Sequence, residues 1–214
     1  LHHVRSAEAA GAAGLLLAPV SYLPLTDDDF AGLVADVAGA TDLPICLYNN
    51  PTTTGFTISD ALAIRLSELP GVKAVKNPAP ATYDQSAQHV HKLCTEMSDD
   101  FVVGYSGDAL IAGPLAAGAQ AWYSVVAGTL PDLALAIWNA RDDKDKVYAL
   151  HGACAPLWDL FAEFGGIRVV PEVLNLMGLG PVTSPKPLLP LGPDAIARIE
   201  AALDVLPTPE LERA

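Results

Sequence analysis

A lysine at the end of an apolar segment is the residue of this sequence best suited to covalent chemistry. Lys76 closes residues 71–76, a run of glycine, valine, alanine and two lysines. A lysine amine that is neutral near pH 7 is a nucleophile and can form a Schiff base with a carbonyl substrate. Because side chains alternate along a strand, Val72, Ala74 and Lys76 are predicted to share one face. Lys73 is predicted to lie on the other face, which makes it the natural control. The alternative for Lys76 is an ordinary solvent-facing residue at a strand end.

Other polar side chains follow the ends of the neighbouring predicted strands. In parallel βα architectures, catalytic groups gather at the carboxyl ends of the strands. One lysine with several hydroxyl groups, a single acid and no histidine suits amine catalysis with a phenolic proton shuttle better than hydrolysis. The residues at these ends are Ser21, Tyr22, Tyr48, Asn49, Asn50, Pro51, Lys76, Asn77, Ser106, Gly107, Asp108, Tyr123 and Ser124.

Strand-like and helix-like segments alternate through the first part of the chain. The apolar segments are uninterrupted, as is typical of parallel strands that are buried on both faces. Such strands with helices between them predict a parallel sheet, either a barrel or a doubly wound layer. The predicted strands are 14–20, 43–49, 72–77, 101–107 and 120–126, and the predicted helices between them are 26–38, 59–69 and 83–97.

The pattern changes after Pro131, where helices follow one another without strands. The sequence therefore predicts five βα units followed by a helical extension. In the first of these units, Thr26 is a predicted N-cap because three aspartates follow it in the first turn of the helix. The predicted helices of the last part of the chain are 132–138, 146–164, 168–177 and 193–206, with 185–190 as an extended connector.

Several kinds of site lack their central residues. The glycines of residues 11–14 precede a predicted strand, which is the wrong context for a dinucleotide-binding loop. The patterns HExxH and GxSxG do not occur, so zinc hydrolase and serine hydrolase chemistry is not predicted. A doubly wound nucleotide-binding domain is therefore the weakest alternative, and we expect no metal ion and no cofactor.

Composition limits the class of protein and its partners. The 214 residues are 51% hydrophobic and 17% charged, which suits one globular domain with a sizeable core. The net charge of −13 repels phosphate backbones, so nucleic acid is not an expected partner. No apolar run approaches the ~20 residues that a membrane helix needs, and no signal-peptide pattern is visible.

The cysteines and the first residue give further expectations. Cys46, Cys94 and Cys154 are too scattered for a CxxC pair or a disulfide framework, so we predict buried structural thiols in a reducing cytoplasm. The chain begins at Leu1 and enters helical sequence directly, which predicts a start in mid-domain.

At this point the residues resemble a known family. The pattern Tyr48-Asn49-x-Pro51-x-x-Thr54-Gly55, followed by Lys76 and by residues 106–108, is similar to the dihydrodipicolinate synthase/N-acetylneuraminate lyase family. The resemblance runs from about Gly11 to Leu206. It implies a (β/α)8 TIM barrel, usually tetrameric, whose strand-end lysine forms a Schiff base with pyruvate or another 2-oxo acid. The expected partners are thus a small 2-oxo acid and further copies of the chain, as a dimer or tetramer.

The resemblance also implies roles for individual residues. Lys76 matches the Schiff-base lysine, and Tyr48 matches the tyrosine that relays protons. The backbone around Tyr123 matches the segment that lines the pyruvate pocket. Gly107 matches the glycine beside the second-substrate site. The full set of implied substrate-binding residues is Tyr123, Gly107, Ser106, Asp108, Thr53, Ser21 and Tyr22.

Two departures from the family concern the barrel. The five predicted strands match strands 4–8, so roughly 90 residues of a barrel of ~250 are not represented. The family loop Gly-Thr-Thr/Ser-Gly-Glu, which holds the pyruvate carboxylate, does not occur in this sequence. We therefore expect residues 1–130 to form a partial barrel and residues 131–214 to form the last barrel helix and the extension of the same structural unit. We expect this fragment alone to have little activity.

Two further departures concern the substrate. Where synthases of the family carry an arginine that binds the carboxylate of the aldehyde, this chain has Thr53. Where they carry paired tyrosines, it has Val20 and Ser21, with Tyr22 adjacent. The expectation is therefore an aldolase or dehydratase that acts on a 2-oxo acid. The alternatives are 4-hydroxy-tetrahydrodipicolinate synthase proper and a truncated, non-catalytic barrel paralogue.

Overall fold

The computed structural model describes residues 1–208. Its five strands form one parallel sheet in the order β1-β2-β3-β4-β5, so each strand pairs with the next one along the chain. This order is that of consecutive strands in a TIM barrel, and the sheet is therefore a partial barrel of five βα units, as the sequence predicts. The strands are β1 (Leu15–Leu17), β2 (Ile45–Tyr48), β3 (Val72–Pro78), β4 (Val102–Ser106) and β5 (Ala121–Tyr123).

Eleven α-helices accompany the strands within residues 1–208, and short 3-10 turns lie at 108–110 and 126–128. Capping side chains explain where several helices begin. Thr26 and Asp29 form a reciprocal capping box, and Ser59 accepts a hydrogen bond from the Leu62 amide. The α-helices are α1 (His2–Ala9), α2 (Asp27–Ala38), α3 (Pro51–Thr54), α4 (Asp60–Ser67), α5 (Tyr83–Glu96), α6 (Ala112–Ala116), α7 (Pro131–Asn139), α8 (Lys144–Ala153), α9 (Ala155–Phe164), α10 (Gly166–Leu176) and α11 (Pro193–Asp204).

The predicted helix 146–164 is wrong as a single element. The chain forms α8 and α9 instead, and Cys154 lies between them. Pro156 lies in the first turn of α9, where its missing N–H and fixed φ are tolerated. The proline therefore marks the start of a new helix, because in the interior of a longer helix it would remove a backbone hydrogen bond.

The residues divide into two compact units. The first comprises Leu1–Ser106 with Ala119–Tyr123, and it contains all five strands. Its core includes Phe30, Leu47 and Val75, which are fully buried. Among the described residues, the second comprises Gly107–Gly118 and residues 124–208, with Leu157 and Ile199 among its buried side chains. The division at residue 130 expected from the sequence stays a prediction.

The pairing of β2 with β3 contains a register shift that overturns one expectation. Ile45 pairs with Val72, but the next residue, Cys46, pairs with Ala74, so Lys73 is an extra residue in β3. Val72 therefore lies on the same face as buried Val75, and the prediction that Val72 shares a face with Lys76 is wrong. Ala74 and Lys76 do share a face, because no irregularity separates them.

Two further sequence expectations meet the structure here. No α-helix within residues 1–208 is long and apolar enough to cross a membrane. The prediction of three buried thiols is correct only for Cys154, because Cys94 is exposed and Cys46 is half-buried.

Candidate active site

Lys76 lies in the last third of β3, directly opposite Tyr48 of β2 and Gly104 of β4. The side chain is half-buried, and its amine faces two aromatic rings. Lys76 Nζ is 4.9 Å from the ring centroid of Tyr48 and 5.5 Å from that of Tyr123. Parallel pairing thus brings together three residues that are far apart in the sequence, and it places the amine between two tyrosines.

Lys73 has a different environment. Its Nζ donates a 2.7 Å hydrogen bond to Asp100 Oδ2, and both side chains are more than half exposed. Such an exposed ion pair contributes little to stability, but it keeps the lysine amine engaged with a carboxylate. Of the two lysines of β3, only Lys76 lies next to the tyrosines.

The hydroxyl group of Tyr48 accepts a hydrogen bond from Asn50 Nδ2 at 3.0 Å. The amide of Asn50 is held in turn by Thr52, whose Oγ1 donates to Asn50 Oδ1 at 2.7 Å. Because the phenolic oxygen acts as the acceptor, its own proton is available for donation to a substrate. Asn50 precedes the short helix α3, which ends at Gly55 with a left-handed φ of 71°.

A buried pair of asparagines holds the loop after Tyr48. Asn49 Nδ2 donates to Asn77 Oδ1 and to the carbonyl oxygen of Ile58, both at 3.0 Å. The Ile58 amide donates back to Asn49 Oδ1 at 3.1 Å. Asn49 and Asn77 directly follow Tyr48 and Lys76, so this network links the ends of β2 and β3. Within the part of the chain that the structure describes, Asn77 Nδ2 is a buried donor without a partner.

Tyr123 makes its polar contact away from the amine. Its hydroxyl group lies 3.1 Å from Cys46 Sγ. Burial raises the pKa of Tyr123, and the contact with Cys46 raises it further, so the phenol is neutral at physiological pH. Burial also raises the pKa of the Cys46 thiol, although Tyr123 and Lys76 act in the opposite direction. Both groups therefore carry their protons near pH 7.

Ser106, Gly107 and Asp108 have separate roles. Ser106 ends β4, and its Oγ donates to the Asn77 carbonyl oxygen at 3.3 Å. Gly107 has a left-handed φ of 103°, which explains the glycine at this turn. Asp108, in the second unit, is buried and accepts hydrogen bonds from the amides of Val125 and Val126 at 3.0 and 2.8 Å. Its carboxylate holds the loop before the 126–128 turn.

The other predicted substrate residues lie in exposed segments with local contacts. Tyr22 is fully exposed, and Ser21 Oγ accepts a hydrogen bond from the Leu23 amide at 3.3 Å. Thr53 is exposed within α3, and its amide donates to the Asn50 carbonyl oxygen. Binding of substrate by Ser21, Tyr22, Thr53, Gly107 or Asp108 stays a prediction.

The sequence assigned no role to two residues of this site, Cys46 and Asn50. Cys46 precedes Tyr48 by two positions on β2, so strand alternation alone would have placed both on one face. Asn50 is one of the polar residues at the strand ends, but no sequence pattern indicated its hydrogen bond to Tyr48. No group of three or more His, Cys, Asp and Glu side chains within residues 1–208 could hold a metal ion. The expectation that the reaction needs no metal or cofactor stays a prediction.

Comparison with known proteins identifies strong similarities. The model of the dihydrodipicolinate synthetase family matches residues 1–206. The crystal structure of dihydrodipicolinate synthase from Agrobacterium tumefaciens is 46% identical, with a TM-score of 0.89, over 95% of this chain and 69% of that one. The enzyme from Acinetobacter baumannii, crystallised in complex with pyruvate, is 25% identical with a TM-score of 0.83, over 95% of this chain and 69% of that one.

A curated protein with a synthase name is also similar in sequence. The 4-hydroxy-tetrahydrodipicolinate synthase of Moorella thermoacetica is 34% identical over 186 residues, which is 85% of this chain. The chain spans 62% of the length of that relative.

Proposed function

This chain belongs to the dihydrodipicolinate synthetase family, and we propose that it is the lysine-bearing part of a Schiff-base-forming lyase that acts on pyruvate or a related 2-oxo acid. The observation that carries the proposal is the position of Lys76. Its amine lies at the carboxyl end of a parallel sheet, directly opposite Tyr48, with Nζ 4.9 Å from the ring centroid. Binding sites of such sheets lie at this end of the strands.

The proposed reaction begins at the amine of Lys76. The neutral nitrogen attacks the carbonyl carbon of the 2-oxo acid, and the resulting carbinolamine loses water to give a protonated imine. The imine is a cation, and the faces of Tyr48 and Tyr123 attract cations. Loss of a proton from C3 then gives an enamine, through which a carbon–carbon or carbon–oxygen bond is made or broken. Hydrolysis of the imine releases the lysine.

Tyr48 is proposed to move the protons of these steps. Its hydroxyl group can donate to the oxygen that leaves as water, because Asn50 occupies the acceptor side of the phenol. Homo-oligomers of two or four chains are part of the same proposal, as the family implies.

Chemical trapping tests this function. Protein expressed from the complete reading frame is incubated with pyruvate and borohydride, which reduces an imine to a stable adduct, and the labelled peptide is identified by mass spectrometry. We expect an adduct on Lys76, its loss in Lys76→Ala, and its retention in Lys73→Ala. An adduct on Lys73 would contradict the assignment, and absence of any adduct would favour a non-catalytic barrel paralogue.

A second candidate function is the synthase reaction itself. It is favoured by the names of the curated relatives, which are 30–34% identical. It is disfavoured by exposed Thr53, which stands where those synthases are expected to carry arginine. Comparing carboxylate-bearing aldehydes with uncharged aldehydes and with hydroxylated 2-oxo acids as substrates separates synthase, aldolase and dehydratase activity.

A further inference from the structure

The side chain of Tyr123 runs along the inner face of the sheet, past Lys76. The backbone of Tyr123 pairs with Ser106, which pairs with Pro78, two residues beyond Lys76. Its hydroxyl group, however, reaches Cys46, which pairs with Ala74, two residues before Lys76. The side chain therefore crosses the level of Lys76 on its way from the carboxyl end of the strands towards their beginnings.

Gly104 makes this course possible. Gly104 pairs with Lys76, and a Cβ atom on it would lie 2.5 Å from Cε2 of Tyr123 and 2.9 Å from Cβ of Ala121. The backbone of Gly104 has no positive φ that would itself require glycine. The reason for glycine is space, because the Tyr123 ring occupies the volume that a side chain at position 104 would fill.

A cavity of about 360 Å³ lies on the other side of this ring. Residues from the beginnings of β1, β2 and β3 line it, including Leu16, Cys46 and Ala74. Tyr123 lines it as well, while also lying 5.5 Å from Lys76 Nζ. Tyr123 thus belongs both to the lining of this cavity and to the surroundings of the amine.

The ring is held at both ends. Its Cβ is fixed by the short strand β5, and its hydroxyl group contacts Cys46 Sγ. Because burial raises the pKa of both groups, the contact joins a neutral phenol to a neutral thiol at physiological pH. A tyrosine fastened in this way cannot swing aside to admit a larger substrate without giving up the contact with Cys46.

We infer that Tyr123 forms the floor beneath Lys76 and restricts the imine to small 2-oxo acids such as pyruvate. This inference rests on the proposed function, because it concerns the substrate of the same lysine. It assigns the side chain of Tyr123 a specificity-determining role, and it assigns Cys46 and Gly104 positioning roles that act through Tyr123.

Borohydride trapping with two acids tests the role of Tyr123. Rates of adduct formation on Lys76 are measured with pyruvate and with 4-methyl-2-oxopentanoate, in protein expressed from the complete reading frame. In Tyr123→Ala, we expect the ratio of the rate with the larger acid to the rate with pyruvate to rise by about tenfold or more, the scale of a pocket that gains apolar space. Tyr123→Phe retains the ring but loses the contact with Cys46, so the ratio should rise, though less than in Tyr123→Ala. An unchanged ratio in Tyr123→Phe would overturn the positioning role of Cys46. If Tyr123→Ala does not fold, Tyr123→Leu takes its place. Leucine fills more of the core than alanine, so the ratio should rise above that of the original protein, but by a smaller factor than expected for Tyr123→Ala.

Alkylation of Cys46 provides a readout that does not need the imine. The rate with iodoacetamide is compared with that of exposed Cys94 in the same digest. We expect the Cys46/Cys94 ratio to rise in Tyr123→Ala, because the ring covers the thiol. If no acid forms an adduct, the proposed function fails and the size-limiting role fails with it. If adducts form but neither Tyr123→Ala nor Tyr123→Leu changes the selectivity, only the size-limiting role of Tyr123 is overturned. An unchanged Cys46/Cys94 alkylation ratio in Tyr123→Ala would contradict the placement of the ring over Cys46.

Discussion

At the scale of single residues, the two tyrosines beside Lys76 differ in what holds their hydroxyl groups. Tyr48 accepts a hydrogen bond from Asn50 and keeps its proton available, whereas the hydroxyl group of Tyr123 contacts Cys46. The same side-chain type can therefore act as a proton donor at one position and as a wall at the other. The difference comes from the neighbours, because Asn50 offers Tyr48 an amide N–H donor, whereas Cys46 offers Tyr123 a thiol, which is a weak donor.

Tyr48→Phe separates proton transfer from ring contact. The variant keeps the aromatic face beside Lys76 but loses the hydroxyl group, so we expect turnover to fall by about 10²–10⁴-fold, the usual contribution of a positioned acid–base group. Borohydride should still trap an adduct on Lys76, at a lower rate. Exchange of the C3 hydrogens of pyruvate with deuterium from the solvent measures the effect, because this exchange turns over through the imine and the enamine without a second substrate.

Tyr148→Phe is the matched control for that variant. Tyr148 is an exposed tyrosine of α8, and removing its hydroxyl group should leave turnover unchanged. Full turnover in Tyr48→Phe would show that another group moves the protons.

The sequence predicted this site in part. The positions of Lys76 and Tyr48 at strand ends follow from the apolar segments that they close, because such segments are local in the sequence. Their pairing in one site is what the resemblance to the family implies. The contact of Tyr123 with Cys46 joins residues 77 positions apart, and it depends on which way one ring turns. No local pattern carries that information.

At the scale of elements, the ring of Tyr123 from β5 lies against Gly104 of β4, where a side chain at position 104 would otherwise be. Gly104→Ala would place a methyl group 2.9 Å from Cβ of Ala121 as well as against the Tyr123 ring. We expect this variant to lower the free energy of unfolding by about 1–3 kcal/mol, the usual cost of overpacking. Urea denaturation measures the loss.

The Tyr123→Ala background tests whether the ring is the cause. In that background Gly104→Ala should cost less, because one of the two close contacts is gone. Equal costs in both backgrounds would mean that the contact with Ala121 alone opposes a side chain at position 104.

Element boundaries show where local signals suffice. The starts of α2 and α4 follow from Thr26 and Ser59, because capping is a contact within one turn. The extra residue Lys73 in β3 had no such signal. Its position depends on how β2 and β3 align, and that alignment is decided by burial of Val72 and Val75 on one face.

At the scale of the whole molecule, several carboxyl groups make the free energy of unfolding depend on pH. The pKa values of Asp29, Asp60, Asp100 and Glu163 are all lowered. Burial raises the pKa of Asp60, but hydrogen bonds and charge from Lys92 and His89 outweigh it. A pKa that is lower in the folded state means that stability is present above the unfolded value, about 3.9 for aspartate and about 4.3 for glutamate, and is lost as the pH falls through the folded value.

We therefore expect the urea midpoint to fall as the pH is lowered from about 5 to about 3. Asp60→Asn should flatten this fall more than Asp100→Asn, because the Asp60 side chain is only 33% exposed and less screened than that of Asp100. Asp28→Asn, at a 90% exposed carboxylate, is the control and should leave the profile unchanged. A midpoint that rises on acidification would contradict the expected direction of this dependence.

The sequence by itself determined the parallel βα architecture, the position of Lys76 and the placement of Tyr48 beside it. Continuous apolar strands, capping residues and period-two alternation are local, and parallel pairing then aligns the strand ends. Only the tertiary structure decided that Tyr123 crosses the level of Lys76 and that Gly104 makes room for it. Each of these depends on the direction of one side chain in a packed interior, where neighbours distant in sequence determine which space is empty.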